Sequence, residues 1–429
     1  MSTTERIPSL FPNVSNRKKM SWLDRFAKKT VINLLSSLVY GRITLIDEVQ
    51  QEWSFGREEN EHECIVHVHD VRFWQALFIG GSVGAGEAFM EGYWDCYDLT
   101  QLLRIILKNR SVLDQMEKGW ARLSYPIRSI QHYLRRNSKV GSRKNIAEHY
   151  DLGNEFYQLW LDPSMFYSSA YFDSADNTLE QASWNKCRIL AEQLELNEFD
   201  HLLEIGSGWG GFACYAAKQY GCRVTTVTIS QEQYQFVLKR IEEWGVAHLV
   251  EVQLKDYRDL EGSFTKLVSI EMIEAVGAEF LPVYFEQCSR LLKPNGIMLL
   301  QAITINDRRY QQALGEVDFI QKYIFPGGFL PSISEMLRVT VAHTDLLLSD
   351  LSTFGRHYAK TLNCWADRFL SQQETIQKLG FDQHFIRKWQ FYLNYCEAGF
   401  MERDIDVVHM KLVKPEWRKA LNDGSLTGC

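Results

Sequence analysis

Paired cysteines are missing from this sequence: nine Cys are spread over 429 residues, with no Cys-x-x-Cys pair and no regular spacing. A disulfide framework is therefore not expected, no metal site is expected, and reduced thiols in a cytoplasmic protein are the economical reading. Also missing is any run of about 18 apolar residues, the length a membrane-spanning helix needs. No amino-terminal stretch has the charged start, apolar centre and small-residue cleavage site of a secretory signal. Positive charge is in deficit, since 47 Lys and Arg against 54 Asp and Glu leave a net charge of −7. That balance argues against a general nucleic-acid binder, whose domain would be basic. No internal repeat or low-complexity segment stands out.

What is present begins with length. A chain of 429 residues exceeds what one hydrophobic core organises, so two domains are expected. Aromatic residues make up 13% of it, with 12 Trp; composition leaves open whether they fill a core or line a pocket for something apolar. Charge is unevenly placed. Residues 17–42 carry Arg17, Lys18, Lys19, Arg25, Lys28, Lys29 and Arg42 against the single acid Asp24, interleaved with Trp22, Leu23, Phe26, Val31, Ile32, Leu34, Leu35, Leu38 and Val39. A basic helix with an apolar face can lie on an anionic bilayer. It can equally pack that face on its own domain.

Residues 1–16 are polar and read as a loose tail. Apolar runs at 43–46 and 64–68 predict strands, followed by a turn-rich stretch over 80–86 and a helix near 99–108. This predicts a small α+β domain over 17–107. Residues 108–145 start helical and become polar and basic from Arg135 to Asn145, as an interdomain linker does. Over 146–415 strands and helices alternate: strands at 202–205, 223–228, 250–254, 267–270 and 296–301, helices at 212–220, 231–244 and 281–292. That order predicts an α/β, Rossmann-like domain with helices on both faces of a parallel sheet.

The first of these strands runs into Glu204-Ile205-Gly206-Ser207-Gly208-Trp209-Gly210 and then a helix. Glycines let the backbone approach a ligand closely. The spacing is Gly-x-Gly-x-Gly rather than the Gly-x-Gly-x-x-Gly of dinucleotide binders. An acid before the first glycine can accept from an amino-acid ammonium, which suits the methionine end of S-adenosylmethionine. Thr228, Ile229 and Gln233 follow the second strand, where a ribose would lie. Tyr257 and Arg258 follow the third, where an adenine would lie. Three consecutive strand ends thus agree on one cofactor at the carboxyl edge of the sheet.

Several further segments resemble the cyclopropane-fatty-acyl-phospholipid synthase family, mycolic acid cyclopropane synthases included. They are His149-Tyr150-Asp151-Leu152-Gly153-Asn154, Met165-Phe166-Tyr167-Ser168-Ser169-Ala170, the glycine loop, Asp256-Tyr257-Arg258-Asp259-Leu260, Tyr323-Ile324-Phe325-Pro326-Gly327-Gly328 and Tyr392-Leu393-Asn394-Tyr395-Cys396. The likeness runs in order from about 146 to 410, and residues 84–95 are similar to the family's accessory domain. It implies transfer of a one-carbon unit from S-adenosylmethionine to the cis double bond of an acyl chain in a membrane phospholipid. The carbocation so formed loses a proton to bound bicarbonate, and a cyclopropane ring closes. Such chemistry needs an apolar tunnel and exclusion of water, and aromatic faces can stabilise the passing cation.

Family roles fall on Tyr167 and Ser168 at the cofactor's methionine end, and on Glu274 and Tyr358 as holders of bicarbonate with Ser169 and Ile303. Cys396 matches the family's active-site cysteine, although a tunnel-lining thiol serves the mechanism as well. From the residues alone, Glu274 could cap a helix, Tyr358 could be an ordinary half-buried tyrosine and His149 a core histidine. Two positions depart from the pattern. Ser169 replaces a cysteine, and Gln301 replaces a bicarbonate-contacting histidine. Glutamine donates a hydrogen bond to an anion but relays no proton near neutral pH. With Glu271-Met272-Ile273-Glu274-Ala275, this segment is similar to the branch that methylates unsaturated fatty acids and leaves methyl or methylene branches. The expected partners are phospholipids at the inner face of a membrane, with a homodimer allowed by the family. The alternatives are a branched product, a small-molecule methyltransferase, and a lipid-binding protein without catalysis.

Overall fold

Ser21 opens the first helix through a capping box: its hydroxyl accepts from the Asp24 amide, and the Asp24 carboxylate accepts from the Ser21 amide. In the computed structural model, residues 20–57, 62–118, Gly141 and 152–418 are described. The expected tail, Arg17, Lys18 and Lys19, most of the linker, and His149 lie outside them. The chain divides into Met1–Ser124 and Tyr125–Cys429.

The first unit runs α1 (Trp22–Leu35), β1 (Arg42–Ile46), β2 (Glu52–Gly56), β3 (Glu63–Val68), α2 (Arg72–Met90), β4 (Trp94–Cys96), α3 (Leu99–Lys108) and α4 (Arg110–Lys118). Its sheet has the order β2-β1-β3-β4, with β1 and β3 parallel and the outer pairs antiparallel. Along β3, Cys64, Val66 and Val68 are buried while Glu63, Ile65 and His67 face out, the two-residue period of a half-covered strand. Two sequence expectations need correction here. The stretch read as turns at 80–86 lies inside α2, which bends at Gly81 (φ 57°, ψ −139°). Its halves cross so closely that a Cβ on Gly84 would stand 1.9 Å from the Ala76 carbonyl oxygen. The glycines serve a bend and a close crossing rather than a loop. The unit also extends past 107, because α4 belongs to it.

The second unit continues with α5 (Asn154–Gln158), α6 (Leu179–Gln193), β5 (His201–Ile205), α7 (Gly211–Tyr220), β6 (Arg223–Thr228), α8 (Gln231–Glu243), β7 (Val250–Leu254), β8 (Phe264–Ile270), α9 (Leu281–Leu291) and β9 (Leu292–Ile305). Then follow α10 (Asp307–Leu314), α11 (Phe319–Tyr323), α12 (Ile333–His343), β10 (Leu347–Thr353), α13 (Gly355–Ser371), α14 (Gln373–Lys378), α15 (Gln383–Met401) and β11 (Ile405–Val413). The sheet order is β10-β11-β9-β8-β5-β6-β7. Strands β5 to β9 are mutually parallel, and β11 lies antiparallel to β9. Alternate strand residues feed two cores. Leu202, Val268 and Leu299 pack against α7, while Leu203, Leu267 and Leu300 pack against α9 and α12. All five parallel strands therefore end at one edge, where the backbone polar groups and polar side chains of the following turns converge.

Candidate active site

At the end of β5 the chain turns sharply. Gly206, Gly208 and Gly210 take φ of 95°, 48° and 79°, and Gly210 caps α7 in the left-handed region. The amides of Gly206 and Ser207 donate to Val227 O at the end of β6. Around Gly208 nothing lies within 4 Å of where a Cβ would stand, so the loop presents open, donor-rich backbone. Thr228 donates to the Gln233 side-chain oxygen at 2.8 Å and accepts from the Ser230 amide. Asp256 orders the next turn by accepting from the amide and guanidinium of Arg258, and Tyr257 packs edge-on to Tyr284. These groups form a polar cradle along the carboxyl ends of β5, β6 and β7.

Glu204 does not join it. Its carboxyl is enclosed between β5 and β6, accepts from Thr226 Oγ1 at 2.6 Å, and is pushed up to about 8 by burial. Desolvation favours the neutral carboxyl here, and the hydrogen bond it makes lies within the sheet. Trp209 reaches back instead, donating to Asn154 at 2.7 Å, which ties the glycine loop to α5.

Across the cradle stands an aromatic wall. The ring of Tyr167 lies 5.4 Å from those of Trp160 and Trp365, and its hydroxyl donates to Tyr392. Trp365 in turn lies 6.0 Å from Tyr358, which stacks on Phe400 at 4.5 Å. Cys396 sits in electrostatic range of Tyr358 and Tyr392, and burial raises its thiol far above the usual range. A protonated thiol in apolar surroundings lines a wall; it is not an activated nucleophile.

The centre of the site is a carboxylate that the sequence reading left without a role. Glu271, at the end of β8, holds a left-handed backbone (φ 48°), a conformation rare for non-glycine residues and concentrated at functional sites. Its Oε1 accepts from the Ser169 amide at 2.9 Å and from Gln301 Nε2 at 2.8 Å, and its Oε2 accepts from the Tyr358 hydroxyl at 2.8 Å. Burial raises its carboxyl, opposed by these three donors and by the buried Lys186 ammonium. Glu274, three residues on, accepts from the Ile303 amide at 2.6 Å, and its other oxygen is buried without a partner. Desolvation and the charge of Glu271 push Glu274 up to about 8, so one acid of the pair is neutral at neutral pH.

The structure thus brings Ser169, Gln301 and Tyr358 together on Glu271, and Ile303 onto Glu274. Every donor assigned to bicarbonate is engaged by Glu271 or Glu274. A second anion about 4 Å from an ionised Glu271 would meet repulsion on the order of 4 kcal/mol at an effective dielectric of 20. The residues present do not fit bicarbonate. Two further groups were missed. Lys186 is fully buried in α6, where it donates to Ser168 at 2.8 Å and lies over the Phe166 ring. His409, on β11, meets Gln301 at 3.0 Å. An acid at the carboxyl end of a buried parallel strand was the available clue to Glu271; nothing local marked Lys186 or His409.

The mycolic acid cyclopropane synthetase family profile matches residues 137–410. A tuberculostearic acid methyltransferase of Mycobacterium tuberculosis is 37% identical over 341 residues, covering 78% of this chain and 79% of that protein. A cyclopropane-fatty-acyl-phospholipid synthase of Escherichia coli is 37% identical over 349 residues, covering 80% and 86%. Among solved structures, a mycolic acid cyclopropane synthase complexed with SAH and CTAB matches with a TM-score of 0.60 at 29% identity, over 63% of this chain and 98% of that one.

Proposed function

The chain belongs to the mycolic acid cyclopropane synthetase family, and on that premise we propose that it transfers a one-carbon unit from S-adenosylmethionine to the cis double bond of unsaturated acyl chains in membrane phospholipids, with Glu271 as the base. When bound, S-adenosylmethionine supplies an electrophilic methyl group on sulfur. Tyr167, Ser168, the 206–210 loop, Thr228, Gln233, Tyr257 and Arg258 bind and orient it. The alkene's π electrons would form the new carbon–carbon bond as the methyl–sulfur bond breaks, its electron pair leaving with the neutral thioether, and a cation would remain on the acyl chain. The faces of Tyr167, Trp365 and Tyr358 stabilise that charge, and their packing keeps out water that would quench it. Glu271 then takes a proton from the added carbon, and the electrons of that C–H bond close the ring.

The observation that carries this reading is the set of three donors on Glu271. They oppose the burial that raises this carboxyl and favour its ionised form, so a proton acceptor fixed to the chain stands where a diffusing anion would otherwise be needed. A second reading has the same cation losing a neighbouring proton to leave a methyl-bearing alkene, or shifting a hydride and then losing a proton from the added carbon to leave a methylene branch. It is favoured by the likeness to the tuberculostearic acid methyltransferase and by a base fixed to the chain, which chooses among protons by position.

In a host without its own cyclopropane synthase, the chain is expected to add CH2 to unsaturated acyl chains, read by mass spectrometry of fatty acid methyl esters. A saturated methyl branch would add CH4 only if a hydride donor of the host reduced the product, and ozonolysis separates ring from methylene. Unchanged acyl masses despite normal cofactor binding would sink the enzymatic reading. Glu271→Gln is expected to abolish turnover with cofactor affinity retained.

A further inference from the structure

Gln301 is enclosed in β9, and His409 stands opposite it as its register partner on β11. An amide in that position can face Glu271 with its nitrogen or with its oxygen. With nitrogen forward, it donates to the carboxylate at 2.8 Å. With oxygen forward, two acceptors would meet in a dry site unless Glu271 carried a proton. The orientation of Gln301 and the ionisation of Glu271 are therefore one question. That question falls on His409, whose Nε2 lies 3.0 Å from Gln301 Oε1. Burial, reinforced by the Lys186 charge, lowers this imidazole to about 3, so it is neutral with a single N–H. The tautomer protonated at Nε2 donates to the amide oxygen and turns the amide nitrogen toward Glu271. The edge-on ring of Phe354, at 4.4 Å, helps hold the imidazole plane.

We propose that His409 is a positioning residue for the reaction: acting through Gln301, it sets the hydrogen-bond polarity at Glu271 and keeps that carboxylate ionised as the proton acceptor. This rests on the reading of Glu271 as the base. The other titratable groups facing Glu271 are Lys186 from α6, Tyr358 from α13 and Glu274 from the turn after β8. Lys186 and Tyr358 favour the ionised form and Glu274 is mostly neutral, so they set a baseline that the His409–Gln301 pair adjusts.

The test compares kcat across pH for the full-length enzyme and three variants, with cofactor Kd measured on each. His409→Leu is expected to lower kcat about 10- to 100-fold, the cost of Gln301 turning its oxygen forward and losing its hydrogen bond to the charged Glu271. Its acid limb should move to higher pH, because Glu271 must be ionised and would now hold its proton more tightly. Cofactor Kd should not change. His409→Gln, which can still donate to the Gln301 oxygen, should recover kcat to within a few-fold. The double variant Gln301→His with His409→Gln, which preserves a donor toward Glu271, should recover the acid limb. The proposal is overturned if the Leu and Gln variants are equally impaired with the acid limb unmoved, or if the Leu variant behaves as wild type. Should the Leu variant fail to fold, the double variant still decides: an acid limb that stays displaced overturns the proposal. Wild-type turnover by Glu271→Gln would instead remove the underlying base assignment, an outcome distinguishable from any His409 result.

Discussion

Two buried acids three residues apart cannot both be ionised cheaply, and the environment assigns them different states. Glu271 receives three donors, whereas Glu274 receives one and is pushed up to about 8. An amide closely imitates a neutral carboxylic acid, so Glu274→Gln is expected to cost less than tenfold in kcat while Glu271→Gln abolishes turnover. A mechanism in which Glu274 holds bicarbonate requires the reverse ranking. The left-handed backbone at Glu271 offers a sharper experiment. Glu271→Gly relieves that conformation, frees three donors and opens the space of a carboxylate. The variant should fold well, be inactive in bicarbonate-depleted buffer and regain activity as bicarbonate is added, with the wild type indifferent to it. No rescue at any concentration would count against Glu271 standing where an anion could act. At this scale the sequence showed the partners, Ser169, Gln301 and Tyr358, but not that Glu271 would receive their hydrogen bonds, because which carboxylate fills a donor set depends on backbone direction.

At the scale of elements, β6 and β7 have the bounds expected from apolar runs, and β5, β8, α7, α8 and α9 agree within a few residues. Buried parallel strands leave strong local patterns, and helix caps such as Ser230 on α8 mark where helices begin. The bend in α2 had no such mark. Glycines at 80, 81, 84 and 86 read equally as a loop or a tight crossing, and only the contact between Gly84 and Ala76 separates the two. Gly84→Ala is expected to destabilise the amino-terminal unit by about 2 kcal/mol or more, an overpacking cost, seen as a lower midpoint in chemical denaturation. Gly92→Ala meets no atom within 4 Å and costs only the strain of its positive φ, so it serves as the milder control.

Across the whole molecule, the question is how a chain reaches a lipid when, among the described residues, no helix is long and apolar enough to cross a membrane. The apolar residues of α1 split between two jobs: Ala27, Val31 and Leu35 are buried, whereas Trp22 and Phe26 remain 72% and 47% exposed beside Arg25 and Lys29. The packing reading of that helix therefore holds for the buried residues, and Trp22 and Phe26 leave an exposed aromatic pair whose contact with a bilayer is a matter for experiment. Trp22→Ala with Phe26→Ala is expected to weaken binding to anionic phospholipid vesicles at least tenfold, since burying each aromatic contributes about 1.5–3 kcal/mol, while activity on detergent-solubilised lipid persists. Unchanged sedimentation with vesicles would rule the patch out as the docking surface. The sequence by itself determined the α/β class, the glycine loop and the three strand ends beside it, because period, glycine spacing and strand length are local properties of the chain. Only the tertiary structure decided which acid receives the three donors and what stands behind Gln301. Ser169, Glu271, Gln301, Tyr358 and His409 come from five separate segments, and hydrogen-bond polarity among them exists only once β8, β9 and β11 lie side by side against α13.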